Sequence, residues 1–296
     1  MAHALLIFGH GYCGTAVARA ARAAGWRVCI ASRTPADHPP EPGIDLVGFA
    51  QAGPAIGHAT HLLATAAPTP AGDPVLAAHA EVIAAAPRLR WIGYLSTTGV
   101  YGDRAGGWVD EATPPAPGSA RGRLRLAAEQ DWARAAGPRA LDLFRLAGIY
   151  GPGRSALDDL RAGRARRIHK PGHAFGRIHR DDIAAAVLAA ATRPDGARVL
   201  NLNDDLPAEP AEVVREAARL LGLPPPPLLD FATAAAGMSA MALSFWAENR
   251  KVSAAATKSA LGLTWRHPTY REGLAAILAE AGTPQQRGEP GDNVDQ

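Results

Sequence analysis

Apolar and polar positions follow two rhythms along this chain. Short apolar runs bounded by turn residues read as strands: Ala4–Phe8, Trp26–Ala31, Ile44–Phe49, Thr60–Ala64, Arg90–Leu95, Leu141–Leu146 and Arg198–Leu202. Between them lie stretches with helical spacing: Thr15–Ala24 closed by Gly25, Val75–Ala86, Gly122–Ala136 and Ile183–Ala191. Strands alternating with helices of this length predict an α/β fold with a parallel, doubly wound sheet. The remaining third is less regular. Leu157–Gly163 reads as a short helix and Glu209–Gly222 as an amphipathic one. Pro224–Pro227 reads as a rigid spacer, and Tyr270–Ala281 as a closing helix. Asn249–Leu261 reads as a helix, and Phe231–Phe245 is rich in small residues and gives no clear period. Thr283–Gln296 is polar, carries Gly and Pro, and reads as a disordered tail.

Composition narrows the class. With 296 residues the chain can bury a large core as one two-lobed unit or two small domains. The net charge of +3 and pI of about 9.1 are mildly basic. There is one basic cluster and no aromatic or motif support around it, so no nucleic-acid partner is expected. No apolar run approaches the roughly 18 residues of a membrane span, so no membrane partner is expected, and Ala4–Phe8 is too short for a secretory signal. Two cysteines, Cys13 and Cys29, suggest neither a disulfide framework nor a metal site, and a cytoplasmic location follows.

The first strand runs directly into Gly9-His10-Gly11-Tyr12-Cys13-Gly14, and a helix follows. Strand, Gly-x-Gly-x-x-Gly and helix together form the setting of a dinucleotide fingerprint in a Rossmann-type sheet. Gly9 permits the turn, Gly11 lets backbone approach a pyrophosphate, and Gly14 lets helix and strand pack closely. Free N–H groups, including those of Tyr12 and Cys13, and the positive end of the helix dipole then face the phosphates. Thr65 opens the loop after the fourth strand, at the carboxyl edge where such sheets bind ligands. After the second strand, where NAD sites carry an acid for the ribose 2′-hydroxyl, stand Ser32 and Arg33. An arginine there suits a 2′-phosphate, which favours NADP(H) over NAD(H). The alternative is an ordinary surface arginine. These readings divide the chain into a dinucleotide-binding lobe, residues 1–154 plus 178–203, and a smaller, discontinuous C-terminal substrate lobe, residues 155–177 plus 204–282.

Several ordered segments carry a resemblance. Gly9–Gly14, Ser96–Asp103, Asp110-Glu111, Leu126-Ala127-Ala128-Glu129, Ile149–Gly153 and Ile178-His179-Arg180-Asp181-Asp182 together resemble the extended short-chain dehydrogenase/reductase family, which includes sugar-nucleotide epimerases and dehydratases. The resemblance reaches to about Asn203. It implies a Tyr that exchanges the substrate's hydroxyl proton, a Lys four residues later, and a strand-end hydroxyl, here Thr97. Strand-end packing is the other reading of Thr97. The Tyr-Lys pair is absent, since none of Tyr12, Tyr94, Tyr101, Tyr150 and Tyr270 has a lysine four residues on. With Leu126–Glu129 as anchor, the Tyr position is Arg121 and the Lys position is Arg125. Arg121 stays charged and has no acceptor, so it cannot serve as a general base, but it can polarise a carbonyl or bind an anion. Arg125 can keep the lysine's ribose contacts. A proton would then come from water, Tyr150 or a histidine.

The basic cluster Arg161, Arg164, Arg166, Arg167, His169 and Lys170 reads either as a solvated loop, the commoner case, or as a site for an anionic substrate. His169, His173 and His179 lack metal-site spacing, so no metal is expected, and the His179–Asp182 segment reads as a turn opening a helix. The leading expectation is an NADP(H)-binding oxidoreductase or epimerase-like enzyme with altered proton transfer, acting on a carbonyl or sugar-like small molecule. The alternative is a non-catalytic NADP(H)-sensing protein. Either a monomer or a homodimer fits, and relatives dimerise through the helices after strands four and five.

Overall fold

The structure is a computed structural model that describes residues 3–282. Its elements run β1 (Ala4–Phe8), α1 (Tyr12–Ala23), β2 (Arg27–Ser32), β3 (Ile44–Gly48), α2 (Gly53–His58), β4 (His61–Ala64), α3 (Pro74–Ala85), β5 (Trp91–Thr97), β6 (Trp108–Val109), α4 (Ala120–Ala136), β7 (Ala140–Leu146), β8 (Gly148–Tyr150), α5 (Ala156–Arg161) and β9 (Arg167–His169). They continue with β10 (Arg177–His179), α6 (Arg180–Thr192), β11 (Ala197–Leu202), α7 (Pro210–Leu221), β12 (Leu228–Asp230), α8 (Phe231–Ala235), α9 (Ala240–Trp246), β13 (Lys251–Val252), α10 (Ala255–Leu261) and α11 (Tyr270–Gly282).

The central sheet has seven strands in the order β11-β7-β5-β4-β1-β2-β3. Every pairing in it is parallel. The chain builds outward from β1 to β3, then returns to place β4 on the other side of β1. The crevice beyond the carboxyl ends of β1 and β4 is therefore the point where the winding reverses. The strand code explains the layers. Leu5 and Ile7 face one side, where they join Val17, Ala18 and Ala21 of α1 and Ile183, Val187 and Ala190 of α6. Leu6 and Phe8 face the other, against Ile56 of α2, Val75 and Ile83 of α3, and Ala128 and Trp132 of α4. A sheet covered on both faces needs strands that are apolar on both, hence the near-continuous apolar runs. A separate core, with Leu157, Val213, Ala217, Tyr270, Leu274 and Ile277, joins α5, α7 and α11.

The doubly wound parallel sheet is as expected. Three local readings change. The helix α2 was not anticipated, because Gly53, Pro54 and Gly57 conceal a turn held by Ile56. The expected helix over Asn249–Leu261 is a strand followed by a helix. Lys251 N–H donates to the Gly107 carbonyl and Ser253 N–H to that of Val109, so β13 pairs with β6 and α10 starts only at Ala255. The Phe231–Phe245 stretch holds α8 and α9. The expected tail Thr283–Gln296 lies outside the described residues. Among the described residues no helix is long and apolar enough to cross a membrane.

Candidate functional site

The glycine loop is built as its spacing requires. Gly9 has φ +120, a conformation that side chains with a Cβ rarely adopt, and a Cβ there would collide with the Thr65 hydroxyl. That hydroxyl instead donates to the Phe8 carbonyl at 3.0 Å, fixing Thr65 beside the loop. A Cβ at Gly14 would collide with the Gly9 carbonyl oxygen. Gly11 differs, since it is the extended N-cap of α1, has no capping side chain, and a Cβ there meets nothing within 4 Å. The loop thus presents the free N–H groups of a 12-residue helix to an open cradle, which fits a pyrophosphate. Tyr12 donates to the Pro152 carbonyl at 3.0 Å, and its ring lies 5.7 Å from the Arg154 guanidinium and 4.9 Å from that of Arg180. Burial pushes the Cys13 thiol up to about 11, so it packs as a neutral group.

A cavity of about 650 Å³ opens from this cradle, a size that suits a small-molecule or cofactor site. Its lining brings together Gly11–Gly14, Thr65, Thr97, Arg121 and Arg125. Thr97 stands at the end of β5, where its Oγ1 accepts from the Gly99 N–H at 3.1 Å and its own proton is left to donate. Ser119 caps α4 through the Gly122 N–H at 3.1 Å. The first turns of α4 then carry Arg121, exposed and 5.9 Å from the Phe245 ring, and Arg125, which is buried. Arg125 Nη1 donates to the Leu95 carbonyl at 2.7 Å and the Tyr94 hydroxyl at 3.0 Å, so one of its amino groups holds the helix to β5. Burial pushes that tyrosine up to about 12.

Ser32 and Arg33 lie at the end of β2, outside this cavity. Ser32 is buried and accepts from the Thr34 N–H at 3.2 Å, while Arg33 is exposed. The His10 and His38 ring centroids lie 3.8 Å apart, with the planes tilted by 52°. Both imidazoles escaped the sequence reading, because His38 lies in an irregular loop.

Several cavity residues were also missed: Arg154, Arg177, Phe245, Glu248 and Arg250. They come from three separate places in the chain, Arg154, Arg177 and the 245–250 stretch, and no motif spacing links them. Glu248 is the one carboxylate among the described residues lining the cavity. It accepts from the Ser119 N–H at 3.2 Å and pairs with Arg250 at 2.8 Å. Five arginines therefore face this space (Arg121, Arg125, Arg154, Arg177 and Arg250) against one acid.

The positive charge does not come from the expected cluster. His169 pairs with Glu209 at 2.7 Å, Lys170 donates to the Trp246 carbonyl at 2.6 Å, and Arg164 pairs with Asp159 at 3.0 Å. None of Arg161–Lys170 lines the cofactor-sized cavity. Tyr150 is not placed as a proton donor either. It is buried away from that cavity, donates to the Thr269 carbonyl at 3.3 Å, and burial drives its pKa far upward.

The histidines serve packing and capping. His173 lies against Phe175 and Trp246. His179 caps α6 by accepting from the Asp181 N–H at 3.2 Å. Asp181 and Asp182 stand in the first turn of α6, and Asp182 is buried and turned to the segment before α11. Its carboxylate accepts from the Arg266 and His267 N–H groups, at 2.7 and 3.1 Å, and contacts His267 Nδ1 at 3.0 Å. His179, Asp182 and His267 offer potential ligand atoms within 4.8 Å of one another. Here His179 Nδ1 already accepts from the Asp181 N–H, and Asp182 is held by the Arg266 and His267 backbone N–H groups. The trio is a buried tie between α6 and the segment before α11.

Behind Thr97 lies a buried polar network. Ser96 donates to Glu129 at 2.6 Å, and Arg145 grips the same carboxylate at 3.1 and 2.7 Å. Arg145 also lies 4.8 Å over the Tyr101 ring, whose hydroxyl donates to Asn201 at 2.8 Å. This network fixes the end of β5 to α4 and β7, and hence Thr97 relative to Arg121.

Sheet order, glycine loop and cavity define the fold of the extended short-chain dehydrogenases/reductases of the NAD-dependent epimerase/dehydratase type, without the Tyr-x-x-x-Lys pair. A conserved protein of unknown function from Silicibacter pomeroyi is 45% identical over 95% of this chain and 100% of its own, with a TM-score of 0.84, and the chain belongs to its family. The structure of the human epimerase family protein SDR39U1 with NADPH superposes with a TM-score of 0.72 over 93% of this chain and 99% of its own, at 20% identity, a likeness of fold. Protein YeeZ of Escherichia coli is 37% identical over 148 residues, which are 48% of this chain, and the chain spans about half the length of this curated relative. No known protein-family profile matches the chain.

Proposed function

We propose that this protein is an NADP(H)-dependent oxidoreductase or epimerase-like enzyme for an anionic carbonyl or sugar-like small molecule. The observation that carries the proposal is the single cavity in which the open Gly11 cradle, Thr97, Arg121 and an excess of arginine over acid all meet. Gly11–Gly14 and the N-terminus of α1 would hold the pyrophosphate, and Arg33 the 2′-phosphate. When bound, the nicotinamide supplies the hydride chemistry. Thr97 donates to the reacting oxygen, and Arg121, always cationic, stabilises negative charge developing there. Arg121 cannot hand over a proton. Glu248, beside the start of α4, is the cavity's carboxylate, and proton transfer runs through it or through water.

A second reading, a sensor that binds NADP(H) without turnover, draws on the missing Tyr and Lys. One experiment separates the two: NADPH oxidation followed against a panel of 2-oxo acids, uronic acids and sugar phosphates. Turnover that falls at least tenfold in Thr97→Val supports the enzyme. Tight NADPH binding with no turnover across the panel supports the sensor.

A further inference from the structure

A second cavity of about 480 Å³ lies among α5, α7 and α11. One wall is apolar, with Val213, Val214, Tyr270 and Leu274. Arg154, which is exposed, and Arg177 line both this cavity and the larger one, so the two residues stand where the cavities adjoin.

The charge balance at that partition is incomplete. Arg177 is half-buried, and its Nη1 donates to the carbonyls of Phe175 at 2.9 Å and Ala208 at 3.1 Å. Among the described residues neither Arg177 nor Arg154 has a carboxylate partner. Two acids also line this cavity, against Arg154, Arg164 and Arg177: Asp159 pairs with Arg164 at 3.0 Å, and Asp158 accepts from the Ser155 hydroxyl at 2.6 Å. Asp204 accepts from the backbone N–H of Arg177 at 3.2 Å rather than from its guanidinium, and its other carboxylate oxygen is buried without a partner. Burial pushes Asp204 up to about 7, so much of its charge is absent at neutral pH, and burial also pulls the Arg177 guanidinium down. Arg177 is therefore a desolvated cation with no ion-pair partner among the described residues, answered by Asp204 only at longer range, and an anion from solution can supply a direct one.

We infer that Arg154 and Arg177 bind a small organic anion in the second cavity, with its compact anionic head, phosphate or carboxylate, at the partition and its apolar body against Val213, Val214 and Leu274. This site is separate from the Gly11 cradle and holds whether or not NADP(H) binds there. Arg177 is, on this account, a ligand-binding residue as well as a tie to the Phe175 and Ala208 carbonyls.

Calorimetric titration of the full chain near neutral pH tests this, using phenyl phosphate, benzoate and inorganic phosphate on the intact protein, Arg177→Met and Arg154→Met. Thermal melts run on the same samples. Binding of phenyl phosphate or benzoate is expected, tighter than that of inorganic phosphate. Each substitution should weaken it at least tenfold, with Arg154→Met, at an exposed side chain, melting with the parent. The tighter aromatic anion identifies the head. Saturating NADPH should leave this binding in place, whereas an anion in the Gly11 cradle would be displaced. If NADPH itself does not bind, the two variants still decide. Should Arg177→Met fail to fold, Arg154→Met, at an exposed side chain, decides. No binding of either aromatic anion, or binding unchanged in Arg154→Met or in both variants, overturns the inference.

Discussion

Gly11→Ala separates folding from ligand binding in a way its neighbours cannot. Gly11 has φ −105 and ψ −175, extended backbone that alanine adopts freely, and its added Cβ would meet nothing within 4 Å. Losing glycine at an N-cap costs roughly 0.5 kcal/mol, and the reduced entropy of the unfolded chain returns a similar amount. Stability should therefore stay within about 0.5 kcal/mol of the parent. The new methyl, however, fills the cradle where a phosphate oxygen must come within about 2.9 Å of backbone N–H groups. Losing one such charge-assisted hydrogen bond costs about 1.5–3 kcal/mol, a tenfold or greater loss of NADPH affinity. Gly14→Ala is the contrast. Its Cβ would press on the Gly9 carbonyl oxygen, backbone that cannot swing aside, and overpacking of this kind costs about 1–3 kcal/mol of stability. Urea unfolding and NADPH fluorescence titration on the same preparations read both effects. NADPH affinity in Gly11→Ala within twofold of the parent, or destabilisation equal to that of Gly14→Ala, would refute the assignment of the cradle.

Further outcomes follow from the buried polar groups. Glu129→Ala leaves Arg145 buried beneath β5 without its carboxylate, which should cost about 3–5 kcal/mol in urea unfolding, and a loss below about 1 kcal/mol would contradict the network's role. Burial pulls His61 and His179 down to about 4, against 6.5 when unfolded, so the stability they bring is present above pH 6.5 and is lost as pH falls toward 4. Asp204, pushed up to about 7 from 3.8, acts in the opposite sense, its contribution being lost as pH rises through that range. Two groups outweigh one, so stability should fall on acidification by up to about 1.4 kcal/mol per pH unit, and Asp204→Asn should steepen the fall toward twice that. Stability rising between pH 6.5 and 4 would contradict the burial of the two imidazoles.

Much of the frame was legible because it is periodic. The seven sheet strands carry apolar runs that both sheet faces demand, and the glycine spacing gave the β1–α1 turn. The register that put Arg121 and Arg125 at the site rested on Leu126–Glu129, and both line the cavity. What was not legible lacks a period. Strands of two or three residues, β6, β8, β9, β10, β12 and β13, are too short to show alternation. Lys251–Val252 looked helical only because α10 follows it. The cavity's charge was misplaced for a related reason. Arg161–Lys170 are adjacent in sequence, but Arg164, His169 and Lys170 are answered by Asp159, Glu209 and the Trp246 carbonyl. Arg154, Arg177 and Arg250, far apart in sequence, converge only through the fold. Their partners, and the lack of them, are tertiary facts.

The proposed function rests most directly on selection of NADP(H) by the Gly9–Gly14 loop and Arg33. Fluorescence titration with NADPH and with NADH, on the intact protein and on Arg33→Ala, tests it most directly. The account predicts that NADPH binds more tightly than NADH and that Arg33→Ala weakens NADPH by about tenfold or more, the worth of a lost guanidinium–phosphate contact, while NADH is unchanged. NADH binding more tightly than NADPH, or equal loss of both in Arg33→Ala, would contradict it.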